Sequence, residues 1–160
     1  MKSETLRAFI AIKIADGIKE NLLSAVGRLG AAGADAKWVE RQNIHLTLKF
    51  LGNITKEGAG ELAKLLRENA KAVNPFEIKV SGVGTFPLKG APRVVWAGCS
   101  NEEILKSLAS AIESSAEKIG VPKEERKFSA HITIGRVKSP VGSEKLMPIV
   151  AELASADFGV

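Results

Sequence analysis

The chain contains two histidines, and both stand in one frame: His45 in HLTL (45–48) and His131 in HITI (131–134). Each is followed two residues on by a threonine, Thr47 or Thr133. Strand side chains alternate faces, so each imidazole shares a face with a hydroxyl about 6.6 Å away, while Ile44, Leu46 and Leu48, or Ile132 and Ile134, take the other face. Imidazole titrates near neutrality, so of two rings one can be neutral and accept a proton while the other is charged and donates. In-line displacement at phosphorus needs that division: a base behind the nucleophile, an acid behind the leaving oxygen. Threonine hydroxyls between them can donate hydrogen bonds to the non-bridging oxygens. Such a reaction requires neither a metal nor a covalent nucleophile.

Two cations extend the set. Arg136 lies five residues after His131, which on a regular strand points it to the opposite face; Gly135 just before it offers a bulge or a strand end that could turn it back. Lys49, four residues after His45, falls on the histidine face by strict alternation and is the first motif's phosphate-contact candidate. Taken singly, each feature has a plain structural reading. A strand histidine is ordinarily a satisfied, partly buried residue, threonine is a good strand former, and isolated Lys and Arg are mostly solvated. Matched frames at matched positions are what weigh against that reading. Trp38, Phe50, Phe86 and Trp96 read as core, with one of them able to stack on a base.

The totals narrow the class. A length of 160 residues with 45% hydrophobic and 26% charged content fits one soluble globular domain, or two small lobes. A net charge of +5 favours polyanionic partners, although a modest lysine excess also serves solubility. Cys99 is the single cysteine, so no intramolecular disulfide can form, which suits a reducing, cytoplasmic setting. Neither HxTx motif carries a carboxylate at ligand spacing, so a metal is not expected. Glu4, Arg7 and Lys13 interrupt the apolar N-terminal run, so neither a signal peptide nor a membrane span is expected.

The positioning elements follow from period and punctuation. LRAFIAIKI (6–14) reads as a first strand. Asp16 can cap a helix over 17–29 with Ile18, Leu22, Val26 and Leu29 on one face, ended by Gly30. A short strand at 37–39 leads to the first histidine strand, and Thr55 opens a second helix to about Ala72, with Leu62, Leu65 and Leu66 inward. Strands are expected at 76–83 and 94–98 around the loop FPLKGAPR (86–93). Ser100 with Glu103 forms a capping box for a third helix, whose stripe is Leu105, Leu108, Ile112, Ala116 and Ile119, stopped by Gly120 and Pro122. The second histidine strand follows, then a fourth helix from Ser143 to about Ala154. Helix, HxTx strand, helix thus occurs twice, with 28 residues from position 17 to His45 and 29 from position 102 to His131. A pseudo-twofold pair of lobes within one domain spanning 1–160 is the economical model, its polar strand faces meeting across a cleft.

HLTL and HITI resemble the paired HxTx motifs of the two-histidine phosphoesterases. RAFIAI (7–12), KWVERQNIHLTLKFLGN (37–53) and FSAHITIGR (128–136) are similar to the RNA 2′,3′-cyclic phosphodiesterase branch, also called 2′-5′ RNA ligase. The resemblance implies an α+β fold of two pseudo-symmetric lobes, each an antiparallel sheet lining a central cleft with helices outside. It implies metal-independent hydrolysis of RNA 2′,3′-cyclic phosphate ends to 2′-phosphomonoesters, with His45 as proton donor to the departing O3′ and His131 as proton acceptor from water. Thr47, Thr133 and Arg136 would bind the phosphate, no cofactor is implied, and ATP-independent 2′-5′ joining is the reverse reaction. RNA with a cyclic-phosphate end is the expected partner, with no membrane partner and a monomeric state. Two departures stand out: Ala130 where the family often has proline, and an end at DFGV (157–160) where members usually continue with further strands. The rivals are a catalytically silent RNA- or nucleotide-binding module and a phosphodiesterase for a small cyclic nucleotide.

Overall fold

Alternating apolar residues in TLRAFIAIK form strand β1 (Thr5–Lys13), and the chain then enters helix α1 (Asp16–Gly30). The computed structural model describes residues 3–160, so the first two residues of the expected 1–160 domain lie outside it. Along the chain follow β2 (Ala36–Trp38), β3 (His45–Thr55), α2 (Lys56–Lys71), β4 (Val80–Phe86), β5 (Val94–Cys99), α3 (Glu102–Glu117), β6 (His131–Val137), α4 (Leu146–Glu152) and β7 (Asp157–Gly159). The fold is α+β, in two compact units.

The first unit comprises residues up to Ile12, Thr47–Glu77 and Asn101–Ala130. Here β1 and β3 form a hydrogen-bonded pair. Leu51, Ile54, Leu62, Ala116 and Val121 make its core, with Leu6, Ala8 and Ile10 of β1 packed against them. The Thr55 hydroxyl caps α2, accepting from the Gly58 N–H at 3.0 Å, as the sequence predicts. Asn69 Nδ2 donates to Ser115 Oγ at 2.9 Å and ties α2 to α3. Lys49 departs from expectation. Its side chain is 3% exposed, and Nζ donates to Glu113 at 2.8 Å and to the Pro122 carbonyl at 3.1 Å, so it is a structural cation rather than a phosphate contact.

The second unit comprises Lys13–Leu46, Ile78–Ser100 and His131–Val160. Its sheet has the order β2-β6-β5-β4-β7, every neighbour antiparallel. One face carries Val80, Val83, Val95, Ala97, Ile132 and Ile134; with Leu22 and Leu29 of α1 and Leu146 and Val150 of α4 they supply the buried apolar core. α1 packs against β2, β6, β7 and α4, and α4 against β4. The Trp38 ring occupies the space of an absent side chain: a Cβ on Gly135 would lie 2.5 Å from it.

Four sequence expectations shift. Asp16 is the first residue of α1 and makes no cap; its carboxylate pairs with Arg41. Ser100 does not cap α3, because its hydroxyl accepts from the Lys79 N–H at 2.8 Å and Asn101, at φ 57°, precedes the helix. β4 starts at Val80 rather than Phe76 and runs through Phe86. The fourth helix is preceded by a 3₁₀ turn at Ser143–Lys145 and is shorter than expected. Among the described residues no helix is long and apolar enough to cross a membrane.

Removing Glu113 would leave the buried Lys49 ammonium without its counter-charge. We expect Glu113→Ala to lose about 3 kcal/mol of unfolding free energy, with much of it regained in Lys49→Met/Glu113→Leu, as urea melts would show.

Candidate active site

The face of the sheet opposite the core carries three of the predicted site residues, His131, Thr133 and Arg136. On β6, His131 lies opposite Gly98 and Thr133 opposite Trp96, but Gly135 lies opposite Val95 and Arg136 opposite Val94. The register thus skips Ile134, which lacks a partner on β5 and instead gives its carbonyl to the Val39 N–H at 2.9 Å. Directly opposed residues share a face, so this bulge puts Arg136 with Trp96, Thr133 and His131. Without it the arginine would point into the core. Lys37 of β2, opposite Arg136, joins the same face.

The flanking aromatics do more than fill a core. Phe86 sits edge-on to the His131 ring, centroids 5.2 Å apart at 86°, and tilts over Trp96 at 5.2 Å. Trp96 can lie flat because its neighbours are glycines: a Cβ on Gly84 would meet its ring at 2.3 Å. Its indole N–H is buried with no hydrogen-bond partner among the described residues. Phe86 is expected from the sequence to open the strand-to-strand loop 86–93; as the last residue of β4 it borders the histidine instead.

His45 opens β3 just after a 3₁₀ turn at Arg41–Asn43. The Arg41 guanidinium holds that turn to the start of α1 through Asp16, at 3.2 Å, and Glu20. Ile44 and Leu46, both buried, anchor the strand on either side of the imidazole. Burial lowers the His45 pKa from its ordinary value, and the charge of Lys19 lowers it further. Thr47 is half-buried and follows by alternation on the His45 side of β3. His45, His131, Thr133 and Arg136 all belong to the second unit, whereas Thr47 begins the stretch of β3 that groups with the first. Sequence reading missed Lys19; the available signal was a lysine three residues before Leu22, at the margin of an apolar stripe.

Among the described residues no group of three or more His, Cys, Asp or Glu side chains could hold a metal ion. Cys99 is half-buried, and burial pushes its thiol up to about 12, far from the range of a reactive thiolate.

The family model for LigT-like phosphoesterases matches residues 12–96 and 98–160. The chain belongs to that family. It is 36% identical over 155 residues to an RNA 2′,3′-cyclic phosphodiesterase of Archaeoglobus fulgidus, covering 96% of this chain and 84% of that protein. A Methanothermobacter thermautotrophicus protein of the same name is 33% identical, with 96% and 83% covered. Among solved structures, one from Thermus thermophilus superimposes with a TM-score of 0.75 at 28% identity, covering 84% of this chain and 76% of that one. E. coli LigT complexed with 3′-AMP gives 0.69 at 28% identity, covering 83% and 74%. The two-lobed α+β expectation agrees with these neighbours, and the two units of this LigT-like phosphoesterase are unequal, with sheets of two and five strands.

The lowered His45 pKa has a stability consequence. Below pH 6.5, the ordinary imidazole value, the unfolded chain binds the proton and the folded chain resists it. His45 therefore contributes stability above that pH, lost as pH falls toward its folded value. The slope of Tm against pH in this window should flatten in His45→Gln, measured by thermal melts across the acid range.

Proposed function

We propose that the chain hydrolyses 2′,3′-cyclic phosphate ends of RNA to 2′-phosphomonoesters without a metal, by paired-histidine acid–base catalysis. The observation that carries this reading is the grouping of His131, Thr133 and Arg136 on one strand face within the unit that also holds His45. Two curated relatives bearing the cyclic phosphodiesterase name, at 33% and 36% identity, support the substrate class.

In this mechanism His131 takes a proton from water as its oxygen attacks phosphorus. The P–O3′ bond breaks, and His45 gives a proton to the departing O3′. Thr47 and Thr133 hydroxyls and the Arg136 guanidinium hold the non-bridging oxygens, whose negative charge grows in the transition state. Phe86, edge-on to His131, limits how that ring can turn. With a 5′-hydroxyl end in place of water as the nucleophile, the same displacement on the cyclic phosphate would form a 2′-5′ linkage as the P–O3′ bond breaks, without ATP. The single domain would be an internal repeat acting as a monomer in the cytoplasm, a setting the lone cysteine supports.

One observation favours a second assignment in the substrate-free protein. A histidine whose pKa is lowered stands ready as a base, which is the role His45 would have in the reverse direction, when the O3′ hydroxyl attacks phosphorus to re-form the cyclic phosphate.

The test is turnover of an oligonucleotide with a defined cyclic end. His45→Ala and His131→Ala should each lose on the order of 10²- to 10⁴-fold in kcat, while a chelator leaves the wild type active. Near-normal turnover in either variant, or a 3′-phosphate product, would sink the reading. Binding of a 2′-phosphate end with no product over long incubation would point to the silent-module rival, and equal rates on mononucleotides to a small cyclic nucleotide.

A further inference from the structure

The positive charge of this chain is concentrated at one end of the larger sheet. A row across that sheet joins Lys37 of β2, Arg136 of β6, Val94 of β5 and Phe86 of β4, each directly opposite the next. Just past the row, the turn 87–93 closes the β4–β5 hairpin, with the Arg93 N–H donating to the Phe86 carbonyl at 2.8 Å. The Arg93 carbonyl accepts from the Val137 N–H at 2.9 Å, and the Asp35 carbonyl accepts from the Lys138 N–H at 2.8 Å. Segments 35–38, 86–94 and 136–138 therefore form one continuous rim.

The rim holds five cations, Lys37, Lys89, Arg93, Arg136 and Lys138, against one carboxylate, Asp35. That excess accounts for all but one unit of the chain's net charge of +5. All six residues are exposed, and among the described residues none is held in an ion pair. Elsewhere Arg28, Arg41, Lys56 and Lys79 each answer a carboxylate. Lys37 and Arg136 stand directly opposite one another on adjacent strands, an arrangement that repulsion disfavours. Solubility is served by dispersed and interspersed charges and gives no reason for that juxtaposition. A polyanion laid along the rim does.

We propose that this rim is a track for the RNA strand upstream of its cyclic end, the lysines and arginines taking successive phosphodiester groups. It starts at Arg136, on the face that carries His131 and Thr133, and continues over Lys37, Lys138 and the 87–93 turn. This rests on the cyclic phosphodiesterase reading and adds the part of the substrate that the reaction leaves unchanged.

The dimensions set how much RNA is felt. Lys138 lies two residues past Arg136, about 6.6 Å along the strand, and stacked nucleotides advance about 3.4 Å each, so the rim spans about two or three nucleotides. A mononucleotide reaches the reacting groups and leaves the rim unused. Lysine and arginine contacts to phosphodiesters fix register without reading bases, so the track discriminates by length and not by sequence.

The probe is a single-stranded RNA octamer ending in a 2′-phosphate, its binding followed by fluorescence anisotropy across a salt series. Each phosphate contact on a single strand contributes about 0.7 to the slope of log affinity against log salt. Lys37→Gln/Lys89→Gln should therefore lose about 1.4 of slope and bind on the order of 10-fold more weakly at low salt. Lys64→Gln/Lys118→Gln, at α2 and the end of α3 in the first unit, removes the same charge and should leave the slope as it is. With cyclic-ended substrates, wild-type kcat/KM should rise on the order of 10-fold from mononucleotide to tetramer, and in the rim variant that ratio should fall toward one. An unchanged slope in the rim variant, or an equal loss in the first-unit control, overturns the inference whatever becomes of cyclic ends. If cyclic ends of every length survive while the rim variant still loses its slope, the track stands and the hydrolytic reading falls.

Discussion

One extra residue in one strand organises the candidate site. A regular ladder would dedicate alternate residues of β6 to the core and to the polar face along its whole length. The bulge at Ile134 breaks that rule once: Ile132, Ile134 and Gly135 are buried, and Arg136 still returns to the side of His131 and Thr133. Burial of aliphatic residues and presentation of a charged donor are competing demands on a seven-residue strand. The skipped pairing satisfies both, and the displaced Ile134 carbonyl is not stranded, because the chain leaving β2 donates to it.

The first unit shows how a buried lysine is satisfied. Lys49 meets Glu113 and a backbone carbonyl, and Glu113 in turn accepts from the Glu124 N–H at 3.2 Å. Every charge is answered, so the arrangement serves only to fix β3 against α3 and the loop after it. In the second, an arginine at the surface, Arg41, takes two carboxylates, Asp16 and Glu20, and holds the turn before His45 to α1.

How much was legible in advance follows from range. The two histidine strands, Thr55 as a cap and the apolar stripes of α2 and α3 depend on residues close in sequence, and the sequence announces them. Arg136 was legible only as a choice, since Gly135 permits a bulge but the partner strand decides whether one forms. Asp16 and Ser100 look like caps by local rules, yet Arg41 captures the first and the Lys79 N–H the second. The start of β4 was misplaced for the same reason. Residues 76–79 turn their backbone to the entry of α3, with the Glu77 carbonyl accepting from the Asn101 side chain at 2.5 Å, rather than to a neighbouring strand. Lys49 was misread as a phosphate contact because alternation gives a direction, while burial and counter-charge come from segments distant in the chain.

The rings lying over glycines have a consequence for how this sequence can vary. Trp96 fills the volume above Gly84, and Trp38 fills that above Gly135. In each case two positions on neighbouring strands share one side chain's worth of space, so neither is free to change alone. A bulkier residue at a glycine expels the ring, and a smaller residue at a tryptophan leaves a void. Replacements at these pairs should be strongly non-additive, tolerated as exchanges and penalised singly. Sequence drift near His131 is thereby channelled into coordinated swaps, which would keep the floor beneath the imidazole level while the residues composing it change.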